Sequence, residues 1–71
     1  MPYVLIQITR ENTTAEQKAA LIRRTTDMLV DVLAKDPATI FVVLDEVDTD
    51  NWGIAGKTVT ARRAHSYGRS A

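Results

Sequence analysis

A long helical pattern lies between two short apolar runs, and this order restricts the possible folds more than any other feature. The first run, Tyr3–Thr9, is rich in β-branched residues and is followed by polar ones. Over about residues 14–34, apolar side chains recur at steps of three and four, which predicts an amphipathic helix. The second run, residues 39–47, is nearly continuously apolar at its centre. We therefore expect a single βαβ unit of the α/β (α+β) class, with parallel strands and a right-handed crossover.

Both ends of the predicted helix carry local signals. Thr13 followed by Glu16 three residues later has the spacing of a capping box, which would begin the helix. Asp36-Pro37 would end it, because a residue that precedes proline avoids the helical conformation. The apolar centre of the second strand is typical of a strand that is covered on both faces.

The segment after the second strand predicts a turn, a short hairpin and then a tail. Gly53 and Gly56 permit a tight reversal, and residues 58–60 can pair briefly as an edge strand. Residues 61–71 are small, polar and basic, so we expect a domain of residues 1–60 followed by a loose C-terminal tail. Trp52 lies beside the first of these glycines, either as an apolar plug at the end of the core or as the wall of a small-molecule pocket.

The chain is too short to cover both faces of its own sheet. A domain of 71 residues buries only about 60% of its unfolded surface. It has no cysteine, and its one histidine, His65, makes a structural zinc site improbable. One helix covers one face of two strands, so the other face must meet another subunit, and we expect a homo-oligomer.

The charge balance excludes several classes of partner. Nine basic and nine acidic residues give a net charge of zero, which argues against a general nucleic-acid or membrane-surface binder. No apolar run approaches the about 20 residues of a membrane span, and the start lacks a signal-peptide pattern. A cytoplasmic location is therefore expected.

Pro2 is the first candidate for chemistry. If Met1 is removed, Pro2 becomes a free secondary amine at the end of a strand. A terminal amine has an unperturbed pKa of about 7.7–8, and a group near the operating pH is suited to proton transfer. Proline is also a common second residue and is tolerated at the start of a strand, so the residue alone does not establish catalysis.

Further residues match a known pattern in order and spacing. Pro2 opens the first strand, Ala15-Glu16-Gln17-Lys18 begins the helix, the second strand is apolar, and Asn51-Trp52-Gly53-Ile54-Ala55-Gly56 follows it. In these features the chain resembles the 4-oxalocrotonate tautomerase branch of the tautomerase superfamily, over nearly its whole length. The resemblance implies βαβ units paired into dimers, with three dimers forming a homohexamer. It also implies a cofactor-independent isomerase in which the amino-terminal proline is the base that converts an enol or dienol acid to its conjugated ketone.

The resemblance carries over unevenly to single residues. Pro2 matches the catalytic proline, and Trp52 stands where the family places a phenylalanine that makes the pocket apolar. Two arginines that hold a dicarboxylate in the family are absent, since Phe41 occupies one position and residues 12–13 occupy the other. Arg10 is the cation close to residues 12–13, and it is either a substrate contact or a solvated residue at a strand end.

The missing arginines change the expected substrate. A buried carboxylate without a charged partner costs several kcal/mol, so a small monocarboxylate fits better than a dicarboxylate. We therefore predict Pro2 as the catalytic base and Arg10, Phe41 and Trp52 as substrate-binding residues. The alternatives are a non-catalytic oligomer, or a hydratase or dehalogenase of small unsaturated acids, which Ile54 after Gly53 disfavours because it supplies no carboxylate.

Several acidic residues, Asp45, Glu46, Asp48 and Asp50, follow or end the second strand. Hard cations require several oxygens that converge, and neighbouring residues of a strand point to opposite faces. We expect a solvated turn there and no metal site.

Overall fold

The computed structural model describes the backbone of residues 1–70 and the side chains of residues 1–64. Its two main strands are β1, Tyr3–Thr9, and β2, Phe41–Val47, and the helix α1, Ala15–Leu33, connects them. The remaining elements are the 3₁₀ turns Pro37–Thr39 and Thr49–Asn51, the short strands β3 (Gly53–Ile54) and β4 (Lys57–Thr58), and the helix α2 (Val59–Ser70).

β1 and β2 form a parallel pair in register from Tyr3 opposite Phe41 to Thr9 opposite Val47. The helix between them packs against one face of the pair, as a parallel crossover requires. The predicted βαβ unit of the α/β (α+β) class is therefore confirmed. Among the described residues, no helix is both long enough and apolar enough to cross a membrane.

The helix begins and ends within one residue of its predicted bounds, but by different residues. Thr14 is the N-cap, and it exchanges the two bonds of a capping box with Gln17. The predicted pair Thr13 and Glu16 is thus wrong by one position. At the other end Ala34 adopts a left-handed conformation (φ 55°), and its N–H donates to the carbonyl of Val30 at 3.0 Å.

Asp36-Pro37 consequently has another role than ending α1. Asp36 caps the 3₁₀ turn Pro37–Thr39 by accepting a hydrogen bond from the N–H of Ala38 at 3.0 Å. Proline at the first position of a helical turn loses no hydrogen bond, since that N–H has no partner within the turn. β2 therefore begins at Phe41, two residues after the predicted start at residue 39.

The two faces of the sheet are buried to different extents. Side chains toward α1 are half-buried, whereas those on the opposite face, here called the open face, are exposed. Where the two strands begin, the open face is apolar: Tyr3 is 61%, Phe41 51%, Leu5 45% and Val43 44% exposed. The prediction that β2 is covered on both faces does not hold within one chain.

The buried core is thin. Among residues 1–64, Ile40 and Val59 are the hydrophobic side chains that count as buried, at 9% and 5% exposure. Both lie outside the central strands, one just before β2 and one at the start of α2. A protomer with so little buried apolar surface is consistent with stabilisation by association.

The predicted hairpin exists, the predicted edge strand over residues 58–60 is present only at Thr58, and the predicted loose tail is helical instead. β3 and β4 pair antiparallel around Ala55 and Gly56, whose φ angles of 53° and 83° are both positive, as a two-residue hairpin turn of type I′ requires. β4 then ends at Thr58, and α2 begins at Val59. Residues 61–70 are thus helical, Ala71 lies outside the described residues, and a domain boundary after residue 60 stays a prediction.

Candidate active site

Pro2 and Phe41 lie together at the end of the strand pair where both strands begin. The N–H of Phe41 donates to the carbonyl of Pro2 at 3.0 Å. This bond fixes the backbone of Pro2, the residue directly before β1. Pro2 is half-buried, and the exposed rings of Tyr3 and Phe41 stand opposite each other on the open face. This end, here called the proline end, therefore combines a rigidly held backbone with an apolar surface.

Arg10 and Trp52 lie at the other end of the strand pair, here called the arginine end. The N–H of Arg10 donates to the carbonyl of Val47 at 2.8 Å, extending the strand ladder by one residue. Trp52 follows the second 3₁₀ turn and is half-buried. Its carbonyl accepts a hydrogen bond from Val59 at 2.8 Å, which joins the loop to the start of α2.

One protomer does not bring all four predicted site residues together. Pro2 and Arg10 are separated by eight residue steps along β1 at about 3.3 Å each, or about 26 Å. The protomer thus joins Pro2 with Phe41 at one end, and places Arg10 and Trp52 at the opposite one. A single small substrate cannot contact both groups within one chain.

Arg10 is held by a partner that the sequence analysis did not identify. Its Nε donates to Oδ1 of Asp48 at 2.7 Å, and the two side chains are 58% and 60% exposed. The hydrogen bond with Asp48 and the attraction of that carboxylate raise the pKa of Arg10 above its ordinary value. In-register parallel strands place residues 10 and 48 side by side, so the pairing of β1 with β2 was the signal that could have found this contact.

Two further acidic residues near the arginine end, Asp45 and Glu46, also have partners. Asp45 on the open face accepts a hydrogen bond from Gln7 Nε2 at 3.1 Å, and Glu46 pairs with Lys18 of α1. Within the part of the chain that the structure describes, no group of three His, Cys, Asp or Glu side chains is placed to hold a metal ion.

A further ion pair ties α2 to the loop after β1. Arg63 Nη2 lies 3.0 Å from Glu11 Oε2, and the hydroxyl of Thr9 donates to the same carboxylate. The hydrogen bond from Thr9, followed by that from Arg63, lowers the pKa of Glu11. Arg63 was expected in a mobile tail, and its position in this pair results from the helix that the sequence analysis missed.

A shallow open groove of about 490 Å³ lies on the side of β1 next to α1. None of the predicted site residues contributes to it. Its lining is mostly apolar with one cation, and consists of Ile8, Thr13, Gln17, Ala20, Leu21 and Arg24.

Comparison with known proteins defines the class to which this fold belongs. Residues 2–62 match the family model described as tautomerase enzyme. The chain is 59% identical over 63 residues to probable tautomerase K2 of Dickeya dadantii (89% of this chain, 94% of the relative). It is 38% identical over 56 residues to the 2-hydroxymuconate tautomerase of Comamonas testosteroni (79% and 87%).

The fold comparison agrees with the sequence comparison. A structure from a study of the 4-oxalocrotonate tautomerase isozymes of Methylibium petroleiphilum superposes with a TM-score of 0.83 at 25% identity, covering 90% of this chain and 98% of the other. The chain belongs to the tautomerase family, and the resemblance to its 4-oxalocrotonate tautomerase branch is confirmed. Membership supports an isomerase-type enzyme.

Proposed function

We propose that this protein is a cofactor-independent tautomerase that converts the enol or dienol form of a small unsaturated 2-oxo acid to its keto form. The observation that carries the proposal is the position of Pro2, fixed by the Phe41 N–H beside an exposed apolar surface in a chain of the tautomerase family. With Met1 attached, the Pro2 nitrogen is an amide without a basic lone pair, so removal of Met1 is part of the proposal.

The proposed reaction needs one group that both accepts and donates a proton. The free Pro2 amine takes the proton of the enol hydroxyl, and the oxygen electron pair forms the carbonyl as the carbon–carbon double bond shifts. The resulting ammonium group then donates its proton to the carbon where the negative charge has accumulated. Proton transfer by one positioned group typically accelerates a reaction by about 10²–10⁴-fold.

A second copy of the chain would complete the site. If two protomers associate through their open faces about a two-fold axis across the strands, their strands run in opposite directions. The proline end of one protomer then lies next to the arginine end of its partner. This arrangement brings Pro2 and Phe41 into one pocket with the partner's Arg10 and the partner's Trp52, and it covers the exposed apolar surface. We extend the proposal to a homohexamer built from three such pairs.

The charges of the proposed pocket favour a substrate with one carboxylate. Arg10 would be the cation that receives it, and Phe41 would contribute an aromatic ring where a dicarboxylate would need a second cation. Trp52 would add an apolar wall that excludes water from the reacting atoms.

Kinetics on the processed protein test the proposal. Intact mass spectrometry first establishes whether Met1 is removed, and ketonisation of phenylenolpyruvate and of 2-hydroxymuconate is then followed by absorbance. We expect Pro2→Ala to reduce kcat/KM by at least about 100-fold. Pro37→Ala, a proline removed from a turn outside the pocket, is the matched control and should retain activity. If Pro2→Ala keeps full activity, or if the processed protein turns over neither substrate, the proposed function is wrong.

A further inference from the structure

Two aspartates occupy equivalent positions in this chain and make different contacts. Asp36 and Asp48 each precede a three-residue 3₁₀ turn as its N-cap. Asp36 uses its carboxylate in the ordinary way and accepts the N–H of Ala38 at 3.0 Å. Asp48 makes no side-chain cap bond, and its carboxylate instead accepts the Nε of Arg10 at 2.7 Å.

The contact leaves the larger part of the guanidinium group available. Arg10 has five N–H donors in a planar fork, and Asp48 occupies the one on Nε. Among the side chains that the structure describes, the two Nη groups of Arg10 have no hydrogen-bond acceptor. Together these two groups form an edge that matches the two oxygens of a carboxylate.

Backbone hydrogen bonds fix the main chain of both Arg10 and Asp48. Arg10 continues the β1 ladder through its bond to Val47, the last residue of β2, and Asp48 directly follows Val47. The Asp48 carbonyl also accepts the N–H of Asn51 at 2.8 Å within the turn. The side-chain bond therefore restricts an exposed arginine whose backbone is already fixed, and such a restriction reduces the entropy that is lost when a ligand binds.

We propose that Asp48 is a positioning residue that orients Arg10 so that its two Nη groups receive the carboxylate of the substrate. This inference deepens the proposed function and rests on it, because the substrate carboxylate is assigned to Arg10 there. Asp48 acts through Arg10 and touches neither the substrate nor the proton that moves.

The two possible roles of Asp48, repelling the substrate carboxylate by its charge or orienting Arg10, predict opposite effects of Asp48→Ala on KM. Asp48→Ala removes the acceptor and the negative charge, whereas Asp48→Asn removes the charge and keeps an acceptor oxygen for the Nε of Arg10. If Asp48 mainly repels the substrate carboxylate, both changes lower KM. If it orients Arg10, Asp48→Ala raises KM, and Asp48→Asn leaves it at or below the wild-type value.

Steady-state kinetics with phenylenolpyruvate distinguish these cases. For Asp48→Ala we expect KM to rise about threefold to tenfold with kcat within twofold of wild type, since one ordered side chain is lost. Asp48→Asn should restore the wild-type KM. Asp50→Ala, which removes an exposed carboxylate from the same turn, is the matched control and should leave KM unchanged. In an Arg10→Ala background, Asp48→Ala should have no further effect.

A binding measurement separates failure of this inference from failure of the proposed function. Crotonate is an unsaturated monocarboxylate without an enol, and its Kd can be followed by the indole N–H of Trp52 and the amide of Arg10 in NMR spectra. Suppose that Asp48→Ala raises the Kd of crotonate, that Asp48→Asn and Asp50→Ala do not, and that no enol acid is turned over. That result would contradict the proposed reaction and would still support the inference that Asp48 orients Arg10 for a carboxylate. Turnover that depends on Arg10 but not on Asp48, or a KM lowered by Asp48→Ala, would overturn the inference.

Discussion

At one end of the parallel strand pair stand an imino acid and aromatic rings, and at the other stand ion pairs. The proline end presents Pro2, Tyr3 and Phe41, while the arginine end presents Arg10 bonded to Asp48. Under the proposed function, the first would supply the base once Met1 is removed, and the second would receive the anion. The difference teaches that the groups one such reaction needs lie at opposite ends of one short sheet, so that a working site would need the proline end of one chain beside the arginine end of another.

Complementation is the strongest test of that division. We expect Pro2→Ala and Arg10→Ala homo-oligomers both to have very low activity at low substrate concentration. When they are unfolded together and refolded as an equal mixture, about a quarter of the sites regain both residues if each site is shared by two protomers. Activity at low substrate concentration measures the outcome.

Two results would contradict the shared site. The first is a mixture that size-exclusion chromatography shows to be co-assembled but that recovers no activity. It would mean that both residues act within one protomer, or that one of them does not act. High activity of the Arg10→Ala protein alone would remove Arg10 from the site.

A charge placed on the open face should separate the proline end of one protomer from the arginine end of its partner in the proposed assembly. Leu5→Lys puts an ammonium group on an exposed apolar surface that the proposed assembly buries, and burying an unpaired charge costs several kcal/mol. We expect the protein to lose its oligomeric state in light scattering, and its activity to fall by at least about tenfold. Ala19→Lys, on the exposed side of α1, is the control and should assemble normally. An intact, active Leu5→Lys oligomer would mean that another surface forms the assembly.

Much of the fold was predictable because it rests on local patterns. β1 was predicted with its observed bounds, and α1 to within one residue at each end. The capping box was placed one residue early because both Thr13 and Thr14 are followed by a Glu or Gln at the required spacing. The sequence pattern could not choose between them, since the choice depends on how the loop after β1 leaves the sheet.

The site was less predictable because its contacts join residues far apart in the chain. The bond between Arg10 and Asp48 spans 38 positions, and its detection needs the strand register as well as the strands. α2 was missed because small polar residues and glycine give a weak helical pattern, yet its first residue, Val59, is among the most buried. The placement of Arg63 against Glu11 follows from that helix.

Trp52 offers a smaller test, because its two interpretations predict different measurements. If the indole forms an apolar wall of the pocket, Trp52→Ala lowers kcat/KM by about tenfold while Tm changes little, as expected for a lost aromatic contact with the substrate. If it is a plug of the core, Tm falls and activity follows the folded fraction. Thermal unfolding and kinetics on one preparation separate the two, with Trp52→Phe as the conservative control. We expect the first result, and a large fall in Tm with normal activity of the folded fraction would contradict it.

The smallest expected effect concerns the ion pair that ties α2 to the arginine end. The pKa of Glu11 is lowered in the folded protein from the ordinary value of 4.5 by Thr9 and then by Arg63. A carboxylate with a depressed pKa contributes stability above its unfolded pKa, and that contribution is lost as pH falls through the folded value. Glu11→Gln should therefore lower Tm by a few degrees at most at pH 7, since both side chains of the pair are largely exposed. The difference from wild type should shrink as pH falls below 4.5 and vanish once pH lies below the lowered pKa of Glu11 in the folded protein. Asp27→Asn, on the exposed side of α1, is the control for a generic change of charge, and a difference from wild type that persists unchanged in acid would show that the charge of Glu11 is not what holds α2 in place.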